Sequence, residues 1–222
     1  MSPALTRIFI VDDHPLVREL LGNLLRLQPD LAVIGEAGEP ASALSAIAAD
    51  PPDIAIVDLS LERGSGLDLI KSLRSQFPSI GIVVLSMHEE ITDLERAFRA
   101  GAAAYVMKRE STRQIVEAIR EVRAGRIFAN PAMLAQLSAR LMGRPGGNAS
   151  MPAEVLSDRE LEVFRRLGEG QSTRDISDAL GVSLKTIQTY CARIKEKLRL
   201  DDGQELTRVA FRWYEDRVRR GG

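Results

Sequence analysis

A chain of 222 residues with 31 Asp/Glu against 30 Lys/Arg is nearly neutral as a whole and long enough for two small domains, each with its own core. The single cysteine, Cys191, excludes an intrachain disulfide and a Cys-based metal site. No apolar run approaches the roughly 18 residues of a membrane span, and the first seven residues lack a signal peptide's apolar core, so the expectation is a cytoplasmic protein.

In chain order, Arg7-Ile8-Phe9-Ile10-Val11 has a strand pattern ending in Asp12-Asp13, after which Pro15 can open a helix. That helix carries Leu16, Leu20, Leu21, Leu24, Leu25 and Leu27 as an apolar stripe and stops near Pro29. A second strand over 31–37 and an Ala-rich helix over 40–49 follow. Ile54-Ala55-Ile56-Val57 is an apolar run with β-branched residues, bounded by Pro51-Pro52-Asp53, and leads into Asp58. Helices are then predicted over 67–76, 90–100 and 111–123, with strands over 80–85 and 104–107 between them. Five repeats of strand then helix ask for an α/β fold, a (βα)5 doubly wound parallel sheet.

In such a sheet ligand sites form beyond the carboxyl ends of the strands. Every strand but the second ends there in a polar group: Asp12 and Asp13, Asp58, Ser86, Lys108. Three carboxylates this close raise one another's pKa unless counter-charges are supplied. Lys108 and a divalent cation would supply them, and oxygen ligands suit Mg²⁺ better than Zn²⁺. The chemistry left for Asp58 is nucleophilic attack on a phosphoryl group, with cation and Lys108 bearing the charge on the transferred oxygens. Ser86 would donate a hydrogen bond to the product. Taken singly, each of these residues is as readily a turn or a helix cap.

Val11-Asp12-Asp13-His14, Val57-Asp58-Leu59, Val84-Leu85-Ser86 and the run Gly101 to Lys108 together resemble the receiver domain of two-component response regulators. The resemblance implies that Asp58 accepts phosphoryl from a sensor histidine kinase. It implies that Asp13, Asp58 and the Ser60 carbonyl hold Mg²⁺, with Asp12 assisting through water. It also makes Tyr105, half-buried on its strand, the switch aromatic that turns inward when the Ser86 hydroxyl moves toward the phosphoryl. One departure is the loop Leu61-Glu62-Arg63-Gly64, where the family often has Pro. His14 and His88 are read as non-catalytic, with His88 placed to tune water access.

Residues 1–125 are therefore expected to form the receiver and 126–153 a linker, with a helix over 131–142 followed by a breaker-rich stretch. Residues 154–222 form a small all-α domain. Ser157 and Glu160 make a capping box for its first helix. Ser172 opens a short second helix closed by Gly181, Ser183 caps a third running to about Leu198, and a fourth begins near Asp202. A short helix, a Gly-containing turn and a longer helix make the helix-turn-helix arrangement, whose second member enters the DNA major groove. Five basic residues against one acid over 183–199 form a concentrated patch on a domain whose net charge is only +1.

The segment from Leu156 to about Ala210 is similar to the LuxR-type helix-turn-helix of the NarL/FixJ regulators, through Leu156-Ser157-Asp158-Arg159-Glu160, Leu180-Gly181-Val182-Ser183, Lys185-Thr186-Ile187 and Lys197-Leu198. Carried over by position, Gln188, Thr189 and Ala192 face base edges, while Lys185, Tyr190 and Arg193 touch phosphates; Thr186 and Lys197 complete the interface. Gln188 favours adenine and the methyls favour thymine, so an A·T-leaning half-site is expected. Tyr190, Gln188 and Asp201 depart from the family's usual residues. The implied protein is a phosphorylation-controlled transcription regulator that binds double-stranded DNA and pairs as a homodimer when phosphorylated. Two other readings stay open: control of a partner protein with little DNA binding, told apart by salt-dependent binding to random DNA, and a Mg²⁺-dependent phosphohydrolase using Asp58, told apart by phosphate-ester turnover.

Overall fold

The computed structural model describes residues 5–61, 63–87, 91–109, 112–141, 152 and 155–220. The chain separates into two compact units, 1–145 and 146–222.

In the first unit five parallel strands, β1 (Thr6–Val11), β2 (Leu31–Ala37), β3 (Ile54–Asp58), β4 (Gly81–Ser86) and β5 (Ala104–Met107), take the order β2-β1-β3-β4-β5. Helices α1 (Pro15–Arg26), α2 (Pro40–Ala49), α3 (Gly66–Gln76), α4 (Ile91–Ala100) and α5 (Thr112–Arg123) alternate with them. Because side chains alternate across a strand, the sheet feeds two cores. Ile8, Ile10, Ile54, Ile56, Val83 and Leu85 face Leu21 and Leu25 of α1 and Ile115 and Ile119 of α5. Phe9, Val11, Ala55, Val57, Ile82 and Val84 face Ile47, Leu69, Ile70, Leu73 and Leu94 of α2, α3 and α4. Burial on both faces explains why β3 reads as an unbroken apolar run, all five of its residues being buried.

The α1 stripe is only partly used. Leu21 and Leu25 are buried, whereas Leu16 and Leu20 are exposed, as is Leu27 at the C-cap, because α1 offers the sheet one face and its leucines spread wider than that face.

A sixth helix, α6 (Pro131–Leu141), lies within the expected linker, yet it is packed against α4. Ala129 and Met133 are buried in the core that holds Tyr105, and Phe128 bridges to the β5 edge, with Tyr105 N–H donating to the Phe128 carbonyl at 2.9 Å. Residues 128–137 thus belong to the first unit's core, their apolar side chains covering the α4 face and the β5 edge. The breaker-rich stretch over 143–151 lies outside the described residues.

The second unit holds α7 (Asp158–Gly168), α8 (Thr173–Leu180), α9 (Leu184–Leu198) and α10 (Gly203–Arg220) around Phe164, Ile176, Ile187, Ile194, Leu206 and Trp213. The Phe164 and Trp213 rings lie 5.4 Å apart at a tilt of 60°. Among the described residues no helix is long and apolar enough to cross a membrane.

Candidate functional site

The strand order reverses beside β1, so the loops after β1 and β3 open a crevice between them. Asp12 follows β1 and Asp58 ends β3, and both are 2% exposed. Lys108, just past β5, donates its backbone N–H to the Ser86 carbonyl at 2.8 Å, which seats it beside the end of β4. Its Nζ then lies 2.6 Å from Asp12 Oδ2 and 2.8 Å from Asp58 Oδ2. Asp58 Oδ1 accepts the Ser60 N–H at 3.1 Å, and Asp12 Oδ1 accepts the His14 N–H at 2.9 Å. Ser86 is fully buried one residue beyond the Asp58–Leu85 pairing.

Burial pushes the Asp58 carboxyl above the usual range, and Asp12 adds to this; the charge and hydrogen bond of Lys108 only partly offset it. For Lys108, burial alone would depress the ammonium, but Asp58 and Asp12 together raise it. The Asp58 direction expresses its burial first, and the Lys108 direction expresses the two carboxylates that hold it. Asp12, Asp13, His14 and Asp58 each offer a ligand atom, all within 4.8 Å of one another. Three carboxylates against one ammonium, with oxygen atoms dominant, are a donor set that fits Mg²⁺. His14, next in the chain to Asp12 and Asp13, joins this cluster, Nδ1 lying 2.7 Å from Asp13 Oδ1 and 3.3 Å from Asp12 Oδ1.

Tyr105 is 2% exposed, fully buried where a half-buried strand position was expected. Ala129 and Met133, in a segment that sequence periodicity did not tie to the sheet, belong to the same buried cluster. His88 and Glu62 lie outside the described residues.

Two supporting residues escaped sequence reading. A Cβ on Gly66, the first residue of α3, would lie 2.2 Å from the Asp58 carbonyl oxygen, so the helix can approach the acceptor backbone this closely only with glycine there. Arg18 Nη1 donates to the Asp12 carbonyl at 2.7 Å and braces the loop after β1 from inside α1. The Gly64-Ser65-Gly66 run hinted at the first; nothing local pointed to the second.

In the second unit Ser157 and Ser172 both form capping boxes, with Glu160 and Asp175, and Ser183 Oγ accepts the Thr186 N–H at 3.1 Å. Gly181 ends α8 at φ 64°, the left-handed conformation that turns the chain into α9. Lys185, Gln188, Thr189, Ala192 and Arg193 share the exposed face of α9, while Ile187 and Ile194 are buried and Tyr190 packs half-buried against the core. Leu184, the first residue of α9, is 42% exposed. Thr186 Oγ1 sits 2.8 Å from Ser183 Oγ within the cap, and Thr189 Oγ1 donates to the Lys185 carbonyl. Lys197 is instead paired with Glu160, at 2.6 Å. The acids at 201 and 202 build the start of α10, where Asp202 Oδ1 accepts the Glu205 N–H and Glu205 accepts that of Asp201.

Comparison with known proteins agrees with both halves. Residues 8–120 match the response regulator receiver domain, and residues 154–210 match the bacterial regulatory proteins of the luxR family. The chain belongs to the LuxR-type response regulators. It is similar to the DNA-binding transcriptional activator DevR/DosR of Mycobacterium tuberculosis, at 32% identity over 197 residues, covering 89% of this chain and 90% of that one. A crystal structure of a LuxR-family two-component response regulator from Aurantimonas sp. shares 31% identity at a TM-score of 0.59, covering 63% of this regulator and 99% of that chain. RcsB of Salmonella enterica serovar Typhimurium, solved on a promoter with a phosphomimetic, shares the fold at 24% identity, TM-score 0.67, covering 94% and 97%. This regulator thus falls in a family of DNA-binding transcription regulators and outside the enzymes proper.

Proposed function

We propose that this regulator is switched by phosphorylation of Asp58 and reads double-stranded DNA through α9. The observation that carries the reading is Lys108 bridging Asp12 and Asp58 at 2.6 and 2.8 Å in a buried acidic crevice, on a chain that also presents a polar, basic helix face. The donor is a phosphohistidine on a sensor histidine kinase. An Asp58 carboxylate oxygen attacks phosphorus, the O–P bond forms as the N–P bond breaks, and the electron pair leaves on the imidazole nitrogen. A Mg²⁺ ion held by Asp12, Asp13, Asp58 and the Ser60 carbonyl would neutralise charge on the transferred oxygens. Lys108 faces the same oxygens, and Ser86 donates to the product phosphoryl. Beyond this self-catalysed transfer and the later attack of water on phosphorus, which releases inorganic phosphate and restores the Asp58 carboxylate, the chain needs no enzymatic machinery.

Phosphorylation turns a carboxylate of one negative charge into a bulkier acyl phosphate carrying about 1.5 to 2, and it can change DNA affinity only by favouring one of two states. The responsive element is Ser86 with Tyr105, which shares a buried cluster with Leu94 and Ala97 of α4 and with Ala129 and Met133. Phosphorylated protein pairs as a homodimer, bringing two α9 helices to half-sites about one DNA turn apart, in the cytoplasm where kinase and promoter meet. Lys185 and Arg193 contact phosphates, and Gln188, Thr189 and Ala192 read bases.

The test is labelling with acetyl phosphate and Mg²⁺, read by intact mass and by DNA affinity. Wild type gains one phosphoryl group and binds more tightly. Asp58→Asn does neither. A variant at 58 that labels and responds like wild type would sink the reading.

A further inference from the structure

We propose that Glu160 withholds Lys197 from DNA, so that this pair positions the recognition helix on α7 instead of adding to its phosphate contacts; the idea rests on the proposed DNA binding by α9. Lys197 lies on the flank of α9 near its end, with its side chain 38% exposed, and Nζ reaches Glu160 Oε2 at 2.6 Å. The Glu160 side chain is only 4% exposed. The same Oε2 accepts the Ser157 N–H at 2.8 Å, closing the capping box of α7. That carboxylate cannot follow Lys197 toward a DNA backbone without uncapping α7. Burial alone would raise the Glu160 carboxyl, but the hydrogen bonds from Lys197 and Ser157 outweigh it and hold the group below the usual carboxylate range. Lys185 and Arg193 differ in kind, since both are exposed and neither is ion-paired among the described residues.

The ammonium of Lys197 is therefore already neutralised inside the domain. Its attraction for a phosphate would have to exceed a charge-assisted bond to a buried, fixed carboxylate. Glu160 is a positioning residue, setting the seat of α9 and limiting the charge that α9 presents to any duplex.

Glu160→Gln separates the two jobs of this side chain, because an amide oxygen still accepts the Ser157 N–H while the counter-charge is lost. The experiment measures binding of the full-length phosphorylated protein to random duplex, and to a duplex selected with it from a random pool, across a salt series. Each phosphate contact contributes about 0.9 to the slope of log K against log salt. Lys197→Met is expected to weaken binding to the selected duplex roughly fivefold or more with the slope unchanged, and Lys197→Arg to restore it. Glu160→Gln is expected to steepen the slope by about one contact and to narrow the gap between selected and random DNA. A slope that falls by one contact in Lys197→Met and stays fixed in Glu160→Gln would overturn the proposal. A thermal-melt double-mutant cycle at 160 and 197 without DNA reads the pair itself, and absence of coupling would also overturn it. Wild type that binds no duplex, with coupling intact, would instead refute the DNA-binding reading.

Discussion

Replacing Asp58 with Asn should make the first unit more stable, because burying the wild-type carboxylate costs more than Lys108 returns. At an effective dielectric constant near 20, Asp58 gains about 6 kcal/mol from Lys108 at 2.8 Å and loses about 3 to 4 kcal/mol to each of Asp12 and Asp13 within 4.8 Å. The Coulomb terms are close to cancelling. The balance then falls to desolvation of a carboxylate with 1% side-chain exposure, which costs several kcal/mol even after relaxation. Asp58→Asn removes that cost, and Lys108 keeps Asp12 at 2.6 Å. A gain of roughly 1 kcal/mol or more is expected, raising Tm by about 3 °C or more in a domain of this size. The pH dependence follows from the raised Asp58 carboxyl. A folded pKa above the unfolded one means that the penalty is full above the folded pKa, where Asp58 is ionised in both states. It vanishes below the unfolded pKa, so the variant's advantage shrinks as the solution is acidified through that window. The assay is calorimetry of both proteins in EDTA at neutral and acid pH, then with Mg²⁺, which should stabilise wild type more than the variant. If Asp58→Asn melts below wild type in EDTA at neutral pH, the charge argument fails.

Gly66→Ala should cost about 1 to 3 kcal/mol, the range for forcing atoms into a packed position, since its Cβ would meet the Asp58 carbonyl oxygen at 2.2 Å. It should also slow acetyl-phosphate labelling, and a variant with wild-type Tm and labelling rate would show that α3 does not constrain the acceptor. Ser183→Ala should cost about 1 kcal/mol by removing the α9 cap, measured by urea denaturation of the second unit's transition. Lys185→Ala and Arg193→Ala should each reduce the salt slope of DNA binding by about one contact, whereas an unchanged slope would take either residue off the phosphate-binding face. Selection from random duplexes should return an A·T-rich half-site, and a G-rich consensus that persists in Gln188→Ala would remove the base-reading role given to Gln188.

Much of the site was legible because its residues sit where two periodicities end. Apolar runs of strand length stop at Asp12, Asp58, Ser86 and Lys108, and a parallel sheet brings all such ends to one edge. Asp12, Asp58 and Lys108 accordingly meet within hydrogen-bonding distance. The caps at Ser157 and Ser183 were equally legible, since each depends on residues three apart. Burial was harder to read. The leucines from 16 to 27 have helical spacing, but which of them are covered depends on how wide a face the sheet can receive, and Leu16, Leu20 and Leu27 remain exposed.

Contacts between residues far apart in sequence had no local signal at all. Tyr105 shares a buried cluster and a backbone hydrogen bond with a segment more than twenty residues downstream, and Lys197 is tied to Glu160 thirty-seven residues upstream. Sequence by itself determined the two-part organisation, the order of strands and helices, and the acidic crevice, because these follow from local periodicity and from a topology with few alternatives. Only the tertiary structure decided that Gly66 abuts the acceptor backbone, that α6 joins the first core, and that Lys197 pairs with the Glu160 carboxylate. Each of these is a packing outcome, set by which surfaces meet once the chain has folded, and no pattern in the residues' own neighbourhoods encodes it.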